Sequence, residues 1–201
     1  MDISASMVKE LREKTGAGVM DCKTALKESK GDINKAVDYL RKKGIATAQK
    51  RGGRITSEGL VGTYVHAGGK IGVMIEVNCE TDFTAKTDEF GEFVKNLAMH
   101  IAATNPISID EDAIPPEILG KEREIYEDQA KESGKPDNVI EKIVAGKLKK
   151  FYAEACLLQN AYVKNPDITI QDLLNELMGK TGENIIVRRF VRYQLGDFDG
   201  A

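Results

Sequence analysis

The spacing of the apolar residues changes along this chain of 201 residues, and that change limits the folds open to it. Over residues 3–44 apolar side chains recur every three or four positions, which is the period of an amphipathic helix. Over residues 71–77 they alternate with other residues, which is the period of a strand with one buried face. The chain must combine helices with strands, and we predict an α+β fold.

The first part of the chain predicts three short helices. We expect the first helix to end at Gly16, the second to begin at a cap on Asp21, and the third to run from a cap on Asp32 to Gly44. A bundle of this size buries little apolar surface, so it is expected to present some to a partner. A polar stretch with two glycines follows, which indicates a linker. We therefore divide the chain into a domain of residues 1–54 and a domain of residues 55–201.

The second part predicts strands and longer helices. Two strands separated by a glycine turn, over residues 60–66 and 71–79, indicate an antiparallel hairpin. A helix capped by Thr87 follows. Two apolar seams over residues 117–157, joined by a Gly-Pro turn, predict an antiparallel helical hairpin whose second helix is capped by Asp137. After a loop and a short helix, an alternating pattern near the end predicts a last strand.

The charge distribution differs between the two parts. Residues 1–54 carry 13 basic against 7 acidic side chains, and the rest carries 16 against 25. A basic module is common in nucleic-acid-binding proteins, but this one lacks the aromatic platforms of single-strand binders. We expect its charges to form a solvated helical face that meets an acidic protein, with no nucleic acid bound.

Catalytic and metal-binding motifs are missing from the sequence. It contains no phosphate-binding loop, dinucleotide fingerprint or lipase-type nucleophile motif. Three cysteines, Cys22, Cys79 and Cys156, are far apart and unpaired in pattern, which predicts free thiols in a reducing compartment rather than a metal site. No apolar run is long enough for a membrane span, and the first residues lack a signal core, so we expect a cytoplasmic protein without a cofactor.

One polar segment contains an aromatic residue in an unusual place. Residues 80–84, ETDFT, lie between the second predicted strand and the helix expected from Thr87. Phe83 can tuck into the core while Thr81 or Asp82 caps a turn, which is the usual arrangement for an apolar side chain. Alternatively, rigid elements can hold it outward, beside a carboxylate, for insertion into another protein. The residue pattern does not separate these two interpretations.

Two long stretches resemble the signatures of the elongation factor Ts family. Residues 11–26 read LREKTGAGVMDCKTAL, and residues 76–86 read EVNCETDFTAK. Shorter similarities follow at residues 100–103, 133–136 and 182–185, so the resemblance extends along nearly the whole chain. One position departs from the family, which usually has Val where this chain has Thr84. The shapes are similar, but a buried hydroxyl changes the contact.

The resemblance implies a function without catalysis. Members of this family bind the GTPase elongation factor Tu and speed the release of its GDP. The implied site is Thr81, Asp82, Phe83 and Thr84, which would intrude beside the magnesium site of the partner. The chain itself would then contact no nucleotide and would hold no metal.

The resemblance also implies a second contact and an oligomeric state. The three-helix module is similar to ubiquitin-associated domains and would bind the same GTPase, and we choose Gly18, Val19 and Met20 as its contact residues by exposure. Longer family members have a duplicated core, whereas this chain has one. We therefore expect a homodimer, formed through the helical hairpin or the last strand.

Two other classes of function stay open from the residues alone. The basic first domain could bind RNA, with an affinity that falls steeply with salt. An unrecognised hydrolase could use one of the two histidines, His66 or His100. Loss of an activity on mutation of either histidine would distinguish a hydrolase from the other classes of function.

Overall fold

The computed structural model describes residues 3–132, 134 and 136–197. These residues form a mixture of helices and antiparallel strands, so the predicted α+β fold is confirmed. They divide into two compact units, each assembled from three segments. The first unit contains the residues up to Val61, Glu76–Val94 and Asp172–Arg188. The second contains Gly62–Ile75, Lys95–Gln171 and the residues from Arg189 onward.

Three helices begin the chain as predicted: α1 (Ala5–Thr15), α2 (Val19–Glu28) and α3 (Ile33–Arg51). Gly16 ends α1 in the left-handed conformation, with φ of 66°. Asp32 caps α3 by accepting a hydrogen bond from the amide of Lys35 at 3.1 Å. The helices enclose a small apolar cluster of Leu11, Cys22, Ala25, Leu26 and Ala36.

Two predicted boundaries in this region are wrong. Gly18 occupies the position before α2, so Asp21 lies inside the first turn and does not cap the helix. α3 continues through Gly44 to Arg51, so most of the expected linker is helical. A Cβ atom at Gly44 would lie 3.8 Å from the backbone oxygen of Asn175, which is an ordinary van der Waals distance. One glycine inside a helix costs only about 1 kcal/mol relative to alanine, so it does not have to end the helix.

The structure contains five strands in its described residues: β1 (Glu58–Val65), β2 (Ile71–Cys79), β3 (Ala161–Tyr162), β4 (Asn165–Thr169) and β5 (Ile185–Gln194). The predicted hairpin of β1 and β2 and the predicted last strand β5 are confirmed, and they form one sheet in the order β1-β2-β5. Val73, Ile75 and Val77 are buried along β2, as the alternation predicts. β3 and β4 form a separate antiparallel pair where the sequence suggests a loop, because such short, polar strands leave no alternating pattern.

The remaining helices are α4 (Asp82–Ala85), α5 (Asp88–Thr104), α6 (Pro116–Lys131), α7 (Asp137–Ala155) and α8 (Ile170–Thr181), with a 3-10 turn at Leu157–Gln159. Thr87 caps α5 as predicted, since its hydroxyl accepts a hydrogen bond from the amide of Phe90 at 3.3 Å. The predicted apolar stripe of α5 is buried at Phe90, Phe93, Val94, Leu97 and Ile101.

α6 and α7 form the predicted helical hairpin. Ala130, Val144 and Leu148 make up its buried cluster. Asp137 is the first residue of α7 rather than its cap, because Pro136 occupies the capping position. Ser133 and Lys135, which belong to the predicted turn, lie outside the described residues. Across the part of the chain that is described, no helix combines the length and apolarity that crossing a membrane requires.

Candidate partner-binding site

A single helical turn, α4, carries the aromatic residue that the sequence singled out. Thr81 is extended, with φ of −129° and ψ of 153°, and its hydroxyl caps the turn by accepting a hydrogen bond from the amide of Thr84 at 3.3 Å. The Phe83 side chain is 78% exposed, whereas Thr84 and Ala85 are 4% and 7% exposed. Successive side chains of a helical turn point about 100° apart, so the turn that buries Thr84 and Ala85 directs Phe83 outward. The interpretation of Phe83 as a core residue is therefore wrong.

Asp82 and Lys86 flank this phenyl ring with an exposed ion pair. The Lys86 ammonium lies 2.7 Å from the Asp82 carboxylate, and both side chains are more than half exposed. Their hydrogen bond lowers the pKa of Asp82 and raises the pKa of Lys86. An exposed pair of this kind adds little to the stability of the turn. It leaves a carboxylate beside the aromatic ring at neutral pH.

The base of the turn is held by the Glu183 carboxylate, which accepts hydrogen bonds from the amides of Glu80 at 3.0 Å and Thr81 at 3.1 Å. The hydroxyl of Thr81 donates to the same carboxylate at 2.5 Å. Partial burial raises the pKa of Glu183, but these hydrogen bonds outweigh burial and leave it below the ordinary value. Glu183 is therefore an ionised acceptor for two backbone amides and the Thr81 hydroxyl.

A second carboxylate, that of Glu80, binds the segment that carries Glu183. Glu80 accepts a hydrogen bond from the amide of Asn184 at 2.6 Å and lies 3.4 Å from the guanidinium of Arg54. Asn184 is buried and donates from its side chain to the backbone oxygen of Arg54 at 2.9 Å. We refer to Glu80 and Glu183 as the bracing carboxylates, because each binds backbone amides of the segment that carries the other.

The sequence placed Thr81, Asp82, Phe83 and Thr84 in one site, and they do lie together on one turn. It missed Glu183, although residues 182–185 are among the stretches that resemble the elongation factor Ts family. The reason is distance along the chain, since 102 residues separate Thr81 from Glu183. No local pattern marks such a pairing.

The second group of predicted contact residues lies at the start of α2. Gly18 precedes the helix, and Val19 and Met20 are its first two residues rather than parts of a loop. Their side chains are 50% and 70% exposed. Exposed apolar side chains at the beginning of a helix provide a small contact surface, separate in sequence from the turn at Phe83.

Both histidines make hydrogen bonds within the structure. His100 is fully buried, and its Nδ1 accepts a hydrogen bond from the amide of Val163 at 3.4 Å while its Nε2 lies 3.3 Å from the side-chain oxygen of Asn160. His66, in the turn between β1 and β2, contacts the Tyr64 hydroxyl at 3.1 Å. These contacts account for both rings as parts of the structure.

The three cysteines are free and buried. Burial raises the pKa of Cys79 and Cys156, which keeps these two thiols protonated and unreactive. Over residues 3–132, 134 and 136–197, no three His, Cys, Asp or Glu side chains are grouped so that they could hold a metal ion.

Comparison with known proteins supports a single family. A sequence model described as "Elongation factor TS" matches residues 5–197. The chain is 62% identical over 195 residues to a protein named elongation factor Ts from Desulfosudis oleivorans, covering 97% of this chain and 98% of that protein. It is 60% identical over 196 residues to elongation factor Ts from Syntrophobacter fumaroxidans, covering 98% of each chain. The corresponding protein from Desulfotalea psychrophila is 59% identical over 196 residues, covering 98% of this chain and all of that protein. With a match along nearly its whole length, this chain belongs to the elongation factor Ts family.

Proposed function

We propose that this protein is the guanine-nucleotide exchange factor of the GTPase elongation factor Tu in translation elongation. Membership of the family supports the general role. The observation that carries the assignment of the site is the exposure of Phe83, at 78%, on a turn whose next two residues are buried. An aromatic side chain held outward in this way is suited to insertion into a pocket of another protein.

The proposed mechanism is mechanical and needs no catalytic group. GTPases of this class hold GDP through phosphate contacts and a magnesium ion. Phe83, with Asp82 beside it, would enter next to that ion and shift the elements that carry it, which weakens GDP binding. Because coupling between two ligands is reciprocal, nucleotide weakens the binding of the factor by the same amount. Incoming GTP therefore displaces the factor, which leaves unchanged.

The first 54 residues supply a second contact in this proposal. Val19 and Met20 are exposed at the start of α2 and would bind the GTPase at a separate place. This contact would hold the factor on its partner while the turn at Phe83 acts on the nucleotide site. The rest of the chain, residues 55–201, would form the core that carries the turn. Both proteins would meet in the cytoplasm.

We further propose that the protein is a homodimer. The second compact unit exposes several apolar side chains on its strands and just after them: Val65, Met74, Val191, Tyr193 and Leu195. Tyr193 and Leu195 are more than 70% exposed. An apolar surface of this kind is expected to be covered, and a second copy of the chain would cover it. A monomer in light scattering at micromolar concentration would contradict this proposal.

The central experiment measures GDP release directly. Elongation factor Tu is loaded with a fluorescent GDP analogue, an excess of unlabelled GDP is added, and the decay of the signal is followed with and without this protein. We expect the release rate to rise with the concentration of the protein and to saturate. An unchanged release rate at every concentration would refute the proposed function.

A further inference from the structure

The turn that carries Phe83 is too short to hold its own shape. α4 has four residues, whereas an isolated helix needs about 12 to 15 residues to be even marginally stable in water. The ion pair between Asp82 and Lys86 is exposed and contributes little. The orientation of Phe83 must therefore depend on contacts with the rest of the chain, which are the burial of Thr84 and Ala85 and the hydrogen bonds made at the start of the turn.

Glu183 provides these bonds from the segment just before β5. Its carboxylate lies at the N-terminal end of the turn and accepts from the amides of Glu80 and Thr81, where a negative charge is favourable. It also accepts from the Thr81 hydroxyl, and the same hydroxyl accepts from the amide of Thr84. A continuous chain of hydrogen bonds thus runs from Glu183 through Thr81 to Thr84, the residue next to Phe83.

The second bracing carboxylate keeps the two segments in register. Glu80 binds the amide of Asn184 at 2.6 Å, so residues 80–81 and 183–184 hold each other through two carboxylates. Hydrogen bonds to an ionised acceptor are about twice as strong as neutral ones. Neutralising Glu183 would therefore weaken the hydrogen bonds that fix the start of the turn while leaving the helices and strands in place.

We infer that Glu183 is a positioning residue for nucleotide release, which acts through Thr81 on the orientation of Phe83 and does not touch the partner. The inference rests on the proposed function of Phe83. A side chain that is already fixed in its bound orientation loses less conformational entropy on insertion, so a fixed turn makes the factor more effective at a given concentration.

The first test replaces Glu183 with glutamine in the full chain. Glu183→Gln keeps the size of the side chain but removes its charge and replaces one of its two acceptor oxygens with an NH2 group, which cannot accept hydrogen bonds. We expect stimulated GDP release to slow about tenfold, the effect of losing a charged hydrogen bond. Hydrogen exchange at the amides of Glu80 and Thr81 should become faster. Glu176→Gln, which breaks the surface ion pair with Lys180 at 2.7 Å, is the matched control and should change neither measurement.

A double variant separates positioning from a general effect on folding. If Glu183 acts only through Phe83, the protein with both Phe83→Ala and Glu183→Gln stimulates release no more slowly than Phe83→Ala alone. An independent loss would instead multiply the two effects, which would overturn the inference. A wild-type rate or unchanged amide exchange in Glu183→Gln would also overturn it.

These outcomes differ from those that would refute the proposed function, which fails if Phe83→Ala alone stimulates release normally. If Glu183→Gln does not fold at the assay temperature, Thr81→Val tests the same chain of hydrogen bonds by removing the hydroxyl in its middle. We expect it to slow release in the same direction, and a wild-type rate with Thr81→Val would overturn the inference.

Discussion

The Thr81 hydroxyl donates a hydrogen bond to the Glu183 carboxylate at 2.5 Å, although 102 residues separate them in the chain. Thr81 lies just after β2, and Glu183 lies just before β5. The turn that carries Phe83 begins at the residue after Thr81. The surroundings of Phe83 are thus built from two distant parts of the sequence.

Removal of the phenyl ring should impair function without affecting the fold. Because Phe83 is 78% exposed, we expect Phe83→Ala to change the free energy of unfolding by no more than about 0.5 kcal/mol. Stimulated GDP release should slow by about tenfold or more, as for a central contact residue. Ile55→Ala removes another exposed apolar side chain, at 86%, and serves as the control with normal stimulation. Equal rates for the two variants would contradict the role of Phe83.

Thr84→Val tests the position where this chain departs from the usual sequence of its family. The substitution keeps the buried shape and removes a hydroxyl that helps to lower the pKa of Glu183, which keeps its bonds to two amides and to the Thr81 hydroxyl. We expect the free energy of unfolding to fall by about 1 kcal/mol in chemical denaturation. Stimulated release should stay within about threefold of wild type. The exposed Thr63→Val is the matched control, and a loss of activity as large as that of Glu183→Gln would contradict this expectation.

His100 should make stability depend on pH. Burial lowers its pKa below the ordinary value of 6.5, and the hydrogen bond with Asn160 only partly opposes this. The unfolded chain therefore binds a proton at higher pH than the folded protein does, so the stability present above pH 6.5 declines as the pH falls towards the lowered pKa.

The comparison that isolates this contribution is His100→Gln. We expect its free energy of unfolding in urea to fall less than that of wild type between about pH 7.5 and about pH 5.5. Carboxylates are common to both proteins, so their titration cancels in the difference. Identical declines in the two proteins would show that His100 does not titrate in this way.

Gly59 in β1 should not tolerate a side chain. Its φ is 146°, and a Cβ atom would lie 2.1 Å from the backbone oxygen of Val77 and 2.7 Å from the Cα atom of Asn78. Both obstacles are backbone atoms of the paired strand, which cannot move aside. We expect Gly59→Ala to lower the free energy of unfolding by about 3 kcal/mol or more. Gly72→Ala, where nothing lies within 4 Å, is the control in the same hairpin, and equal stability of both variants would contradict the prediction.

Most elements of the fold follow from local patterns. The left-handed Gly16, the caps at Asp32 and Thr87 and the alternation along β2 all act over a few residues, and the structure has them where the sequence predicts. The incorrect predictions concern the residues at which helices begin and end. α3 passes through Gly44 because one glycine lowers the stability of a helix by only about 1 kcal/mol and does not end it by itself.

The features of the candidate site also divide into those that the local sequence predicts and those that it does not. Local sequence predicts that residues 80–84 form a polar junction with one aromatic residue between a strand and a helix, and the resemblance to a family selects them as the site. The direction of Phe83 does not follow from it, because a phenyl ring at such a junction can be buried or exposed with equally ordinary local structure. Packing and long-range hydrogen bonds in the folded chain set that direction. Thr84 is buried, Phe83 points into solvent, and Glu183, 102 residues from Thr81 in the chain, binds the amides of residues 80 and 81 and the Thr81 hydroxyl at the start of the turn.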